Sequence, residues 1–372
     1  MIEEGTLSVE TTGADVDNVN VGGLMTVSGG TVEMKVAGLD SKGIKASNLS
    51  LLGGTIKLSA TGNASKCIKV DTTLIIGNTD GTGPVITATT TGSSYSAQAN
   101  TRSDTEFVAA GPGGGGGPGG GGGWGPGGGG GGWGPGGGQG EDSGSSAKAI
   151  KCMGAIYMYG GELTISTKTD GAEGLESKTN MYLNGGTIIA NCYDDCINAK
   201  GIISCGGANI YCYSNGNDAI DSNYGRSGAI TISGGVVIAL TSKGSPEEGL
   251  DCDNNSYISL KGGEVFTGGG VQSNASATLS ASQGYYWYTS GTYSNYVSLQ
   301  TSSGSTIFTV KIPTSISNKC SLISSASMSS NGSYKLVRSS SAPTGYTDTF
   351  GDVFYKGGSV SNTSSVTSFT AK

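Results

Sequence analysis

Residues 173–192 read EGLESKTNMYLNGGTIIANC, and residues 195–214 read DCINAKGIISCGGANIYCYS. Each stretch joins a short polar motif, centred on an aliphatic residue, to a pair of glycines that is followed by apolar residues in alternation. Apolar alternation on both sides of a glycine pair is typical of β-strands that meet at a turn. Because both stretches repeat the same order of features, the sequence indicates one structural unit that is used more than once.

Both motifs recur along most of the chain. The glycine pairs end at Gly30, Gly54, Gly161, Gly186, Gly207, Gly235 and Gly263. The second motif lies between them as KGIKA (42–46), KCIKV (66–70), KAIKC (148–152), EGLES (173–177), DCINA (195–199), DAIDS (218–222) and EGLDC (248–252). Two motifs that repeat in phase predict a parallel β-helix, in which each coil buries its apolar face only by stacking on the next.

The repeat predicts an all-β chain with a parallel β-helix over residues 1–272. Residues 100–146 interrupt it with a segment rich in Gly, Pro and Trp. That segment cannot bury enough apolar area to offset its backbone entropy, so we expect a flexible loop. Residues 273–372 change to Ser- and Thr-rich alternating segments with frequent turn residues. They predict a small β-rich cap or sandwich, which could cover the open end of the solenoid.

The composition excludes several classes of function. Histidine is absent, so the chain has no Ser-His-Asp or Cys-His nucleophilic site and no histidine-based zinc site. A formal net charge of −7 argues against nucleic acid as a partner, since phosphate binding needs an excess of basic residues. The sequence contains no apolar run long enough to predict a membrane span. We interpret the eight cysteines mostly as small buried residues, with disulfides as the alternative.

The second motif separates the charges of the solenoid. Its first and fourth positions hold lysine in the early coils and mostly carboxylates in the later coils, and on a solenoid they form ladders with a spacing of about 4.8 Å. Stacked like charges repel, so we expect a counter-ion, and Ca²⁺ prefers such oxygen ligands. The alternative is a solvated acidic face. The candidate calcium ligands are Glu173, Glu176, Asp194, Asp195, Asn198, Asp218, Asp221, Glu248 and Asp251.

The lysines of the early coils indicate a possible ligand. Ammonium groups in a groove would pair with a repeating polyanion, such as a polysaccharide of uronic acids. Two alternatives stay open for them: a solubilising basic patch, or pairing with acids on the neighbouring coil. Two tryptophans of the insert are candidates for stacking on sugar rings, although they could instead pack on the solenoid. The candidate binding residues are Lys42, Lys45, Lys66, Lys69, Lys148, Lys151, Trp124 and Trp133.

Five features of the sequence occur together: the KGIKA-type motifs, the NGGT-type motifs, the GPGGGG insert, the EGLD element and the stretch STIFTVKIPTSISNKCSLISSASMSSNGSYKLV. In combination they resemble the bacterial carbohydrate-binding β-helix family, whose reference member is a clostridial cell-surface protein. The resemblance implies a right-handed parallel β-helix with a fold similar to pectate lyases. It also implies calcium held by coil carboxylates, and binding of acidic plant polysaccharide such as polygalacturonate or pectin, with cellulose as a further ligand. Asn198 replaces an expected acid, which leaves the number of ions open.

We therefore expect a monomeric, non-catalytic polysaccharide-binding protein that is extracellular or at the cell surface. The first residues, MIEEGTLSVE, lack the basic and apolar regions of a signal peptide, so we expect that leader to be absent from this sequence. A calcium-dependent lyase of the pectate type is the first alternative, but it needs a base near the metal, and only Lys178 and Lys200 are close in sequence. A structural stalk or adhesin is the second alternative.

Overall fold

The computed structural model describes residues 1–96, 144–270, 278–288, 295–313, 316 and 321–372. These residues form an all-β structure with a parallel solenoid of about nine turns and a small antiparallel sheet near the C-terminus, which confirms the predicted fold class. Contacts group Met1–Tyr95 with Ser146–Lys372 in one compact unit, and Ser96–Ser145 form a second unit. Trp124 and Trp133 lie outside the described residues.

The strands of the solenoid stack in three columns. The first column contains the first parts of β2 (Val19–Val27), β4 (Lys42–Leu51) and β6 (Lys66–Ile76), followed by β10 (Lys148–Cys152), β13 (Leu175–Ser177), β16 (Ile197–Ala199), β19 (Ile220–Ser222) and β21 (Leu250–Asp251). The second contains the latter parts of β2, β4 and β6, then β11 (Ala155–Met158), β14 (Met181–Leu183), β17 (Ile203–Cys205), the first parts of β20 (Ile230–Thr241) and β22 (Ile258–Gly268), and β23 (Ser280–Ala281).

The third column is continuous over the same coils. It contains β1 (Thr6–Thr11), β3 (Thr31–Val36), β5 (Thr55–Ala60), β7 (Val85–Thr90), β12 (Glu162–Thr167), β15 (Thr187–Cys192), β18 (Asn209–Ser214) and the latter parts of β20 and β22. Two short strands, β8 (Tyr95–Ser96) and β9 (Gly144–Ser145), precede and follow the insert in the chain, and a 3₁₀ helix spans Asn255–Tyr257.

The aliphatic residue at the centre of each charged motif forms the core of the solenoid. Across the first column these residues pair with one another, and each is at least 96 % buried: Ile44, Ile68, Ile150, Leu175, Ile197, Ile220 and Leu250. Since successive side chains of a strand point to opposite faces, the next residue of each motif points away from this core. Burial of the aliphatic third position therefore places the charged fourth position of each motif on the opposite face of the strand.

The glycine pairs turn the chain from the second column into the third. The second glycine of most pairs has a positive φ: Gly30, Gly54, Gly161, Gly186, Gly235 and Gly263. At Gly54, a Cβ atom would lie only 2.6 Å from the carbonyl oxygen of Gly30 on the coil below. The pairs recur because each turn must adopt a left-handed conformation and also lie close to the turn beneath it.

The C-terminal residues cover both an end and a side of the solenoid. Strands β24 (Tyr285–Tyr288) and β27 (Ser321–Ser325) lie at the end, where β27 pairs antiparallel with β22 and β24. A six-stranded antiparallel sheet has the order β29 (Asp348–Phe350), β30 (Phe354–Lys356), β26 (Thr306–Lys311), β25 (Tyr296–Thr301), β28 (Ser333–Ser339) and β31 (Thr363–Thr370). It packs against the third column, where Tyr211, Ile238 and Phe266 share an apolar cluster with Phe308 and Phe354.

The cysteines belong to the interior. Those that the structure describes are buried, free thiols: Cys67, Cys152, Cys192, Cys196, Cys205, Cys212 and Cys252. Burial raises the pKa of Cys67 to about 12, which keeps that thiol protonated and unreactive at neutral pH. Within the described ranges, no helix has the length and apolar character needed to cross a membrane.

Candidate functional site

The structure places the charged motif positions in two ladders on the first column. Strand pairing joins the fourth positions in the order Lys45, Lys69, Lys151, Glu176, Asn198, Asp221 and Asp251. Pairing and direct contacts join the first positions in the order Lys42, Lys66, Lys148, Glu173, Asp195, Asp218 and Glu248. The residues that the sequence aligned are therefore brought together, with a basic half and an acidic half.

Ammonium groups of the basic half have partners inside the protein. Lys66 donates to the carbonyl oxygen of Ala64 at 2.8 Å, and its Nζ lies 3.4 Å from the carboxylate of Asp40. Lys42 lies 3.3 Å from the same oxygen of Asp40, and Lys45 approaches the carboxylate of Asp17 at 3.8 Å. Only 5 % of the Lys66 side chain is exposed. These contacts leave less of the basic half available to an external polyanion than an open groove would.

Burial also weakens the charge of this half. It lowers the pKa of Lys66 to about 8, although the carboxylate of Asp40 opposes the change. A lysine with this pKa is partly neutral in mildly alkaline solution. The alternative in which the lysines pair with nearby acids therefore describes Lys66 better than a solvated basic patch does.

The two halves meet at a buried network of ion pairs. The Nζ atom of Lys148 lies 2.7 Å from Glu173, and that of Lys151 lies 3.6 Å from Glu176 on the same neighbouring coil. Lys178 forms a third, short ion pair with Glu176. Burial opposes ionisation of Glu176, but the three lysines together hold its pKa below the ordinary value. Glu176 is therefore neutralised by the protein itself and is a weaker candidate for a metal ligand.

The acidic half beyond this network is joined by hydrogen bonds. The amide nitrogen of Asn198 donates to Asp195 and to Asp221, at 2.8 Å in each case. Asp195 accepts a bond from the backbone nitrogen of Asp218 at 3.1 Å, and Asp218 accepts one from the backbone nitrogen of Glu248. These bonds connect each coil to the next, so the hydrogen-bonded ladder is continuous over three coils.

These carboxylates are hard to ionise without a positive partner. Burial raises the pKa of Asp218 to about 9. Burial, together with repulsion from Asp195 and Asp251, raises the pKa of Asp221 to about 8. Burial and the charge of Asp194 raise the pKa of Asp195 well above its ordinary value. The acidic half therefore has a strong electrostatic preference for bound protons or a bound cation.

A third polar ladder was not predicted from the sequence. The residue before the first motif position is Asp194, Asn217 and Glu247 in successive coils, and only Asp194 had been singled out. The amide of Asn217 donates to Asp194 at 2.7 Å, and Asn223 similarly donates to Asp221 at 2.6 Å. An alignment of the repeats that included the residue before each motif would have predicted the contact between Asn217 and Asp194. Asn223, which makes the contact with Asp221, lies in a turn whose length differs from coil to coil, so no such alignment predicts it.

The acidic half provides the ligand chemistry that calcium prefers but not a closed cage. Carboxylate, amide and carbonyl oxygens are the groups that Ca²⁺ takes. Among the described residues, however, no group of three or more His, Cys, Asp or Glu side chains is placed so that it could hold a metal ion. Asp195 and Asp221 are instead linked through the Asn198 amide. Coordination would have to combine pairs of carboxylates with backbone carbonyls and water.

No family model, no curated protein and no solved structure matches this chain. The parallel solenoid of about nine turns is consistent with a fold of the pectate-lyase kind. The charges, contacts and surfaces of the chain itself are therefore the basis for its function.

An aromatic cluster on the second column adds a further surface feature. The rings of Tyr157 and Tyr182 stack with centroids 5.0 Å apart, and Tyr159 stacks on Tyr157 at 6.4 Å. All three side chains are half-buried. The sequence signal was weak, because tyrosines in an alternating strand are equally typical of an ordinary outward face.

Proposed function

We propose that this protein is a non-catalytic, calcium-containing polysaccharide-binding protein that recognises an acidic polysaccharide of the polygalacturonate or pectin type at the cell surface. The observation that carries the proposal is the ladder of buried carboxylates formed by Asp195, Asp218 and Asp221, whose pKa values are all raised. Such a ladder needs a cation to stay ionised at neutral pH. A bound divalent ion would supply positive charge that both protein and uronate carboxylates can share.

The residues of the acidic half have distinct parts in this proposal. Asp221 and Asp251, which pair on neighbouring coils, would contribute one pair of carboxylates, and Asp218 would add negative charge beside them. Asn198 orients two carboxylates through its amide, and it could present its carbonyl oxygen instead if the amide turned over. The paired Glu173 and Glu176 hold the basic half against the acidic half rather than holding an ion.

The contacts and positions of Lys178 and Lys200, the candidate bases nearest in sequence, favour binding over lyase activity. A lyase needs a basic group within hydrogen-bond reach of the sugar at the metal. Lys178 is engaged in an ion pair with Glu176. Lys200 is exposed and follows strand β16, outside the ladders. Lys178 is thus committed to Glu176 and Lys200 lies outside the ladders, so we propose a protein that retains its ligand unchanged.

The test measures polygalacturonate binding by isothermal titration calorimetry in calcium and in EDTA, with ultraviolet absorbance followed for unsaturated product. The proposal expects calcium-dependent binding without product. The double variant Asp218→Asn/Asp221→Asn should lose that binding and, in EDTA, should be more stable than the parent, because buried repulsion is removed. Glu33→Gln, which changes a half-buried acid of a surface ion pair on the third column, is the matched control and should bind normally.

Three other outcomes would overturn the proposal. Accumulating product would make the protein a lyase. Calcium binding without polysaccharide binding would leave a calcium-stiffened stalk or adhesin. Equal polysaccharide binding by the double variant and the parent would place the ligand elsewhere on the molecule.

A further inference from the structure

A polar cleft lies where the C-terminal sheet meets the third column of the solenoid. Its volume is about 360 Å³, within the range of sites that hold small molecules. The solenoid contributes Glu162, Thr164, Thr187 and Asn209, and the opposite wall consists of Thr349 and Phe350. The cleft belongs to a different column from the acidic half, and it contains none of the residues proposed to hold calcium.

The polar wall results from the strand register of three successive coils. Glu162 pairs with Thr187, and Thr187 pairs with Asn209, so a carboxylate, a hydroxyl and an amide stand in line along the axis. Thr164 lies two residues after Glu162 and therefore on the same outward face. Parallel strands fix this spacing at about 4.8 Å, which gives the wall a rigid, regular set of polar groups.

The aromatic wall is held by a tight turn. Phe350 stacks against Phe354 with ring centroids 5.6 Å apart, which supports it from one side. Gly351 follows with a φ of +57°, and a Cβ atom there would lie 2.9 Å from Cδ1 of Ile189. The close approach that glycine allows at this point brings the hairpin of β29 and β30 onto the solenoid beside the cleft.

The solenoid wall of the cleft presents four polar side chains towards the opposite wall. Among the described residues, the side chains of Glu162, Thr164, Thr187 and Asn209 make no hydrogen bond to another protein group, whereas the amides of Asn198, Asn217 and Asn223 each donate to a carboxylate. Four neighbouring donors and acceptors opposite one aromatic ring are therefore available to a ligand.

We propose that this cleft is a second carbohydrate site, which takes a neutral saccharide of one or two sugar rings. Hydroxyl, amide and carboxylate groups match the hydroxyls of a sugar, and an aromatic ring matches the apolar C–H face of a pyranose. In the part of the chain that the structure describes, the lining includes one acid and no basic residue, so a uronate would be repelled by Glu162. This second site shares no residue with the acidic ladder and needs no calcium.

The experiment is a titration of the full chain with neutral disaccharides in EDTA. Cellobiose, xylobiose and maltose are the probes, and saturation-transfer NMR and calorimetry are the measurements. We expect at least one probe to bind. Thr164→Val and Asn209→Ala should each weaken that binding about fivefold, as expected for the loss of one hydrogen bond. Thr87→Val is the matched control, because Thr87 pairs with Thr164 on the preceding coil but does not line the cleft.

Phe350→Ala should abolish the binding; if it disturbs folding, the two polar variants still decide. The proposal is overturned if none of the probes binds, or if Thr164→Val and Asn209→Ala bind as tightly as the parent. Polygalacturonate binding in calcium, measured on the same variants, should be unchanged. The failure of one site can therefore be told apart from the failure of the other.

Discussion

The ammonium nitrogen of Lys148 lies 2.7 Å from a carboxylate oxygen of Glu173, at the one step of the ladder where a basic coil stacks on an acidic coil. Both side chains are largely buried, with 7 % of the lysine and 15 % of the glutamate exposed. Burial and repulsion from Glu176 still raise the pKa of Glu173 to about 7, so Lys148 only partly compensates for the loss of water. The contact is thus needed mainly because each charge would otherwise be buried alone.

Removal of Lys148 alone should therefore be strongly destabilising. We expect Lys148→Met to lower the free energy of unfolding by about 3–5 kcal/mol, because Glu173 and Glu176 lose a buried counter-charge. The double variant Lys148→Met/Glu173→Gln should recover most of the loss. Urea unfolding at neutral pH measures both.

The control for this experiment is the exposed pair of Lys35 and Glu10, which lies 3.7 Å apart on the third column. Lys35→Met should change stability by no more than about 1 kcal/mol, as surface ion pairs do. If Lys148→Met is as mild as Lys35→Met, the junction is not a buried charge network.

Lys66 should make stability depend on alkaline pH. Its pKa is about 8 in the folded protein and is lowered from 10.5, so between these values the unfolded chain binds more protons than the folded one. The contribution of Lys66 to stability should consequently rise with pH across this interval, against an opposite contribution from the buried cysteine thiols, whose raised pKa values keep them protonated in the folded protein. In Lys66→Met this rise should be reduced relative to the parent, as measured by urea unfolding at several pH values. An unchanged difference between the two proteins across the interval would show that Lys66 is not desolvated.

Asn198 should decide how strongly the acidic half depends on a cation. Asn198→Asp replaces the amide that joins Asp195 and Asp221 by a third carboxylate. In EDTA, added repulsion should lower the melting temperature, and added calcium should raise it by more than in the parent. Asn20→Asp is the matched control, since Asn20 lies in the same ladder beside Lys45. An equal response to calcium in both variants would contradict the cation-dependent ladder.

The glycine turns should tolerate almost no side chain. Gly54→Ala would put a Cβ atom 2.6 Å from a backbone oxygen at a φ of +83°. We expect a loss of about 2 kcal/mol or more in the free energy of unfolding. Gly22→Ala is the control, because a Cβ atom at Gly22 meets nothing within 4 Å. Similar losses in both variants would mean that the stacked turns can move apart.

Most of the fold could be predicted because a solenoid repeats its physical constraints. The spacing of Ile150, Leu175 and Ile197 required a core position once per coil, and the observed register places them directly over one another. The glycine pairs marked the turns for the same reason. Repetition therefore made a weak local signal strong.

The orientation and engagement of the charged side chains could not be predicted in the same way. The burial of Lys66 depends on Asp40, which belongs to no repeated motif. The bridging role of Asn198 depends on carboxylates from two other positions. Likewise, Tyr211 and Ile238 break the apolar alternation because the C-terminal sheet covers them, and their sequence gives no partner. Contacts outside the repeat therefore decide which side chains are available to ligands.

The order of charges along the first column limits how the repeat can gain or lose coils during evolution. Deleting the coil that begins at Lys42 would still leave lysine next to lysine at Lys66 and Lys148. Deleting the coil that carries Glu173 and Glu176 would place Lys148 beside Asp195 but Lys151 beside Asn198, so the lysine of the fourth position would lose its counter-charge. We expect duplications and deletions to be tolerated within either half and selected against at the boundary, so the number of coils can drift while the single basic-to-acidic step is inherited intact.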